Sequence, residues 1–199
     1  MLFRSNTVTE VAWTFRKAAK FFDVVTYTGT GVARTVSHSL GSTPGCIIVK
    51  CTTTGATNWR VYHNGLTSSA YTIQLDQTNA QSNQTSIWNS TAPTASSFTV
   101  GTDPSVNSLG DQYVAYIFAH NAGGFGLTGT DNVISCGSFI SSGGVDTINL
   151  GYEPQWVLYK CATNLSDWRI ADTMRGMSIA SNTAILFPNQ SSAEQNAAQ

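Results

Sequence analysis

Charge is what this sequence has least of. Of its 199 residues only 11% are Asp, Glu, Lys or Arg, and 10 basic residues against 11 acidic leave a net charge of -1. No basic patch of the kind that binds nucleic acid or an anionic membrane surface is expected from so few charges. Long apolar runs are also missing. The stretch "YVAYIFA" at 113–119 is far too short to span a bilayer, so no membrane insertion is expected. "MLFRSNTVTEV" has neither a continuous apolar centre nor a small-residue cleavage site, so no signal peptide is expected. The four cysteines, Cys46, Cys51, Cys136 and Cys161, show no Cys-x-x-Cys spacing. Cys46 and Cys51 lie five apart on one expected strand, on opposite faces, and so cannot bridge each other. Free thiols in a reducing compartment are the simpler reading.

What fills the chain instead is Thr, Ser, Asn and Gly between short apolar stretches. Strands are expected at 23–29, 34–40, 46–53, 59–63, 70–75, 85–89, 97–101 and 112–120. Each is rich in β-branched or aromatic residues, and Gly, Asn and Pro clusters separate them. Eight strands in about a hundred residues, with no helical stretch between, predict antiparallel β-sandwich or jelly-roll architecture.

The sequence also repeats. "LGSTP" at 40–44 returns as "LGYEP" at 150–154, Lys50-Cys51 as Lys160-Cys161, and Trp59-Arg60 as Trp168-Arg169, at offsets of 110, 110 and 109. "VAWTF" at 11–15 resembles "VAYIF" at 114–118, the last expected strand. The expected organisation is therefore the final strand of an upstream repeat plus linker (1–22), a complete sandwich (23–120), a Gly-rich linker (121–131) and a partial second sandwich (132–199). Residues 8–22 also carry a helical apolar stripe; the repeat favours strand over 9–16 and at most one helical turn over 17–22. The N-terminal strand is expected to help complete the second unit.

Candidate chemistry is sparse. Gly124, Gly126 and Gly129 spell GxGxxG, but a strand-like "TDNVISCGSF" follows where a dinucleotide site needs a helix. His38, His63 and His120 have no ligand-spaced partner, and their repeat counterparts (near Ile148, Asp172 and Lys17) are not histidines. Asp103 and Asp111, with Asn107 between them, could cradle calcium, though turn roles suit them better. No nucleophile motif is present, so no catalytic residue, cofactor or metal site is assigned. The residues retained in both copies are Lys50/Lys160, Cys51/Cys161, Trp59/Trp168 and Arg60/Arg169. Strand alternation predicts a core tryptophan beside an outward arginine, and a central strand at 46–53 buried on both faces. Trp59, Arg60, Trp168, Arg169, Asp103 and Asp111 are the candidate ligand or surface residues.

Taken together, "FRKAAKFFDVVTYTGTG", "LGSTPGCIIVKC", "NWRVYH", "WNSTAPTASSFTVGTDPSVNSLGDQYVAYIFAH" and "LGYEPQWVLYK" resemble a repeated domain of bacteriophage virion proteins, a domain of unknown function (DUF7483). The resemblance runs from about Val11 to Leu186. It implies a concanavalin-like or SPRY-like β-sandwich and a non-enzymatic virion module of a tail fibre or tail appendage. The implied partners are other virion proteins, further copies of itself and host-surface glycan. The chain would be made in the host cytoplasm and reside in the tail. The alternative is a carbohydrate-binding module of a bacterial surface or secreted protein. A third class, a tail-spike glycosidase, requires two facing carboxylates about 5–9.5 Å apart.

Overall fold

The computed structural model describes residues 11–55, 57–177 and 183–197. The architecture is all-β and antiparallel. In chain order the elements are β1 (Phe22–Thr28), β2 (Arg34–Ser37), β3 (Pro44–Cys51), β4 (Arg60–His63), β5 (Tyr71–Gln74), β6 (Ser82–Asn83), helical turn α1 (Thr85–Trp88), β7 (Ser97–Val100), helical turn α2 (Pro104–Asn107) and β8 (Gln112–Ala119). After a long irregular stretch come β9 (Trp156–Tyr159), β10 (Arg169–Asp172), β11 (Thr183–Ile185) and β12 (Gln195–Ala197).

One six-stranded sheet organises the molecule, in the order β1-β8-β3-β4-β5-β6. β3 sits inside it, and Ile47, Ile48 and Val49 are buried on alternating faces, as a doubly covered strand requires. One face packs against the β2–β7 pair, α1 and α2. There Ile47, Val49, Tyr113, Ala115 and Ile117 meet Val36, Leu40, Ile87, Trp88, Phe98, Val100 and Val106. The other face carries Cys46, Ile48, Val61, Ile73, Tyr116 and Phe118, and Leu158 of β9 and Trp168 pack onto it. The second part of the chain thus covers the back of the first sheet.

Three expected elements differ. Residues 85–89 form a helical turn rather than a strand. Ile87 and Trp88 are consecutive yet both are fully buried in the same core cluster, which the alternating faces of a strand cannot provide and a helical turn can; Asn89 then ends the turn in the left-handed region. The described part of 9–16 forms no strand, and Val8 with residues 9 and 10 lies outside the described residues. Residues 18–22 make a tight turn and not a helix. Lys20 has φ 61°, Ala18 and Phe22 form a bridge, and the chain enters β1 directly.

The irregular N-terminal segment is a wedge held by side chains. Phe15 lies 5.7 Å from Phe22 and 6.0 Å from Phe118 on the first sheet, and 5.6 Å from Trp156 of β9. Trp13 donates its indole N–H to Asp172 Oδ2 at 2.8 Å.

Candidate functional site

The two Lys-Cys/Trp-Arg hairpins have the same construction. In β3–β4 the facing residues are Cys46 and His63, Ile47 and Tyr62, Ile48 and Val61, Val49 and Arg60. In β9–β10 they are Trp156 and Asp172, Val157 and Ala171, Leu158 and Ile170, Tyr159 and Arg169. The register is conserved residue for residue across the repeat.

The retained residues hold the hairpin loop. Lys50 Nζ donates to the Thr57 carbonyl, and Lys160 Nζ donates to the equivalent Ser166 carbonyl at 2.5 Å and to Thr78 O at 2.9 Å. Cys51 Sγ and Cys161 Sγ each lie 3.6 Å from the hydroxyl two residues on, Thr53 or Thr163. The Trp59 amide donates to Asp76 Oδ1 and the Trp168 amide to Asn189 Oδ1. The lysines satisfy loop carbonyls, and loop side-chain oxygens satisfy the tryptophan amides, groups that a strand end would leave unpaired.

The tryptophans and arginines are not placed alike. Trp168 is buried, and its indole donates to Gln74 O at 2.7 Å on the first sheet, while Arg169 lies half-buried over the Tyr159 ring. That matches a core tryptophan beside an outward arginine. In the first hairpin the expectation fails. Trp59 is half-buried, stacked on Tyr116 at 6.3 Å, and Arg60 is buried. Facing residues of an antiparallel pair share a face. Arg60 faces Val49, which is in the closed core, so its side chain must enter there too.

Arg60 is accommodated by a polar chain. Its Nε donates to Ser105 Oγ at 2.8 Å, and Ser105 Oγ donates to Asp103 Oδ1 at 2.5 Å. Asp103 also caps α2 by accepting from the Ser105 amide. Asn107, fully buried, donates to Val32 O and Gly101 O and accepts from the Thr30 amide. Asp111 accepts from the Thr53 and Thr54 hydroxyls, and that bonding to Thr53 holds its carboxyl below the ordinary value. Asp103, Asn107 and Asp111 therefore serve three separate joints of the 101–111 loop. Among the described residues no three His, Cys, Asp or Glu side chains gather in metal-binding geometry.

All three histidines use Nδ1 as an acceptor from a backbone amide: His38 from Leu40, His63 from Gly65, His120 from Cys136. An accepting Nδ1 leaves Nε2 as the ring's donor. Burial, with the neighbouring His120, pushes the His63 pKa down to about 4. Gly45 lets Cys136 and His120 close over β3; a Cβ there would come within 2.5 Å of the Cys136 Cβ. The GxGxxG stretch is a tight loop closed by the Phe125–Asp131 bridge, and no helix follows it.

Among the described residues a shallow groove lies on the first sheet. It has about 230 Å³ beside β5 and β6 and is lined by Thr72, Gln74, Asn79, Ser82 and Gln84, with Ile73 as its apolar floor. Hydroxyls and amides without charge suit neutral polar ligands such as sugars. Sequence reasoning passed over this groove, along with Ser105 and with Asp172, whose Oδ2 accepts from Trp13 and pairs with Arg175 at 2.9 Å. Only the excess of Gln and Asn between 74 and 84 signals the groove.

An antiparallel all-β chain with no helix among the described residues long and apolar enough to cross a membrane is the class the structure defines. The family model of a domain of unknown function, DUF7483, matches residues 4–199, and the chain belongs to that family. None of the curated proteins or solved structures compared matches it.

Proposed function

We propose that this chain is a non-enzymatic structural module of a bacteriophage virion, carried on a tail fibre or tail appendage, with other tail proteins and copies of itself as neighbours. Its sandwich is of the jelly-roll or concanavalin-like kind, built by partial duplication. The observation that carries the reading is how the repeated polar residues are used. Lys50/Lys160 and Cys51/Cys161 hold loops, and Trp168 and Arg60 are buried in joints. Selection for a repeated scaffold explains residues retained in that way; selection for a repeated reaction would retain groups facing a cleft. The glycosidase class finds no support in Asp103 and Asp111, which serve separate joints.

A host-surface glycan is the ligand the loops would meet, and the groove of Thr72, Gln74, Asn79, Ser82 and Gln84 is its favoured place. The same groove favours the second reading, a carbohydrate-binding module of a bacterial surface protein. Mass spectrometry of purified phage particles from the source culture separates the two. Recovery of this chain's peptides in fixed proportion to tail proteins is expected. Their absence from particles, with recovery from the bacterial envelope instead, overturns the virion reading. A glycan array with the Gln74→Ala/Gln84→Ala variant as control tests the groove.

A further inference from the structure

The chain contains a single Asn-Gly pair, Asn64-Gly65. It forms the centre of the turn that follows β4. The Leu66 amide donates to the His63 carbonyl at 3.1 Å, which closes a four-residue turn. The Asn64 amide donates to Gly45 O at 2.9 Å, which ties that turn to the start of β3. Asn64 is exposed, and its carboxamide makes no hydrogen bond among the described residues. Nothing there holds the side chain away from the amide that follows it.

Gly65 is fixed from two sides. Its amide donates to His63 Nδ1 at 2.9 Å. A Cβ at this position would come within 2.8 Å of the Ser138 Cβ, so a glycine fits where a larger residue would have to displace Ser138.

This arrangement sets up one reaction. An asparagine carboxamide carbon is an electrophile. The backbone nitrogen of the next residue can close a five-membered ring on it, once that nitrogen gives up its proton. A glycine offers no side chain to hinder the approach. A base must lie within about 2.6–3.2 Å of the group whose proton it takes, and His63 Nδ1 does so in the folded chain. With the His63 pKa pushed down to about 4 by burial and His120, that nitrogen is unprotonated at neutral pH. The N–H lies in the peptide plane, whereas attack uses the face of that plane, so both fit at one nitrogen.

We propose that Asn64 is a self-modifying site, where the Gly65 amide attacks the Asn64 carboxamide while His63 Nδ1 takes the amide proton. The bond from Gly65 N to Asn64 Cγ forms, the Cγ–Nδ2 bond breaks, and the proton held by His63 leaves with ammonia. Water then opens the cyclic imide at either carbonyl, giving aspartate or isoaspartate at position 64. No oxidant or cofactor takes part. The equivalent turn after β10 reads Asp172-Thr173-Met174 and has neither the carboxamide nor the glycine. Conversion adds a carboxylate beside Gly45 and Ser138, and the isoaspartate form also lengthens the turn's backbone. The modified fraction therefore records the age of the folded chain.

The test follows the full chain at neutral pH by peptide mass, with isoaspartate read by enzymatic methylation. Residue 64 is expected to convert faster than any other asparagine, and at least as fast in the folded chain as in the chain unfolded in urea. A hydrogen-bonded turn without a base holds the amide still and slows ring closure, so slower conversion in the folded chain overturns the proposal. His63→Asn keeps an acceptor near the Nδ1 position but cannot take the proton. It is expected to slow conversion in the folded chain about tenfold, with the rate in urea unchanged. A folded variant that converts as fast as the parent also overturns the proposal. If that variant does not fold, the parent's folded and urea rates decide alone.

Discussion

The β3–β4 and β9–β10 hairpins share a register, a lysine clasp and a cysteine–threonine contact, yet they bury opposite members of the Trp-Arg pair. In the first, Arg60 enters the core and Trp59 lies at its margin; in the second, Trp168 is buried and Arg169 rests on Tyr159. The difference comes from what each hairpin packs against. β3–β4 is closed on one face by α2, whose Ser105 accepts from the guanidinium and is itself held by the Asp103 cap. β9–β10 lies on the back of the first sheet, where an indole fills the space and bonds Gln74 O. A duplicated hairpin therefore fixes its own backbone, and the neighbouring layer decides which side chain becomes core.

The sharpest way to break this comparison is to truncate both tryptophans. Trp168→Ala is expected to cost about 3–5 kcal/mol, since it removes a buried aromatic and orphans a bond to the first sheet. Trp59→Ala, at a half-exposed position, is expected to cost about 1–2 kcal/mol. Urea unfolding measures both, and equal losses would contradict the asymmetry.

Acid separates the two hairpins next, through the equivalent positions His63 and Asp172. The unfolded chain protonates His63 near 6.5, whereas the folded chain does so only near 4. Between those values the unfolded state holds more protons, so stability is full above about pH 6.5 and falls as pH drops toward 4. The loss is at most about 3 kcal/mol. Burial would raise the Asp172 carboxyl, but Arg175 and Trp13 hold it below its ordinary value. Its contribution therefore persists through that window and is lost only at lower pH. Thermal melts at stepped pH should show a decline from 6.5 to 4 that His63→Asn reduces; a decline of equal size in that variant would assign the effect elsewhere.

The smallest effect concerns sulfur. Cys161 is exposed and its thiol is lowered by bonding to Thr163, while Cys51 has the same threonine contact but is buried. Exposure decides access. Iodoacetamide at neutral pH should add one label per folded chain, at Cys161, read by intact mass. Rapid labelling of Cys51 as well would show that the first hairpin opens.

Much of this was legible in the sequence. β1, β3 and β8 fall within about two residues of their expected limits, and the repeat offset matches the two hairpins to each other residue for residue. The legible part depends on local alternation, which short strands impose strongly. Arg60 illustrates the limit. Alternation says that Trp59 and Arg60 point to opposite sides, but only the pairing with Val49 says which side is closed. Helical turn α1 escapes for a related reason, because Ile87 and Trp88 look β-like singly and reveal their turn only by being buried together. The wedge of Phe15 and the clasp of Trp13 on Asp172 bring together residues about 140 to 160 positions apart, and no spacing rule reaches that far.

The position of β8 between β1 and β3 has a consequence in time. On the ribosome β3, β4 and β5 can pair as soon as they emerge, since they are neighbours in the chain and in the sheet. Among the described residues β1 has no strand partner but β8, roughly 80 residues later, a wait of roughly 4–16 s at about 5–20 residues per second. Throughout that interval an apolar strand stays unpaired, and β8 must then insert as an interior strand between two segments already made. Synthesis thus ends the first unit with its most consequential strand, so a pause before residue 112 would hold nascent chains in their most association-prone state.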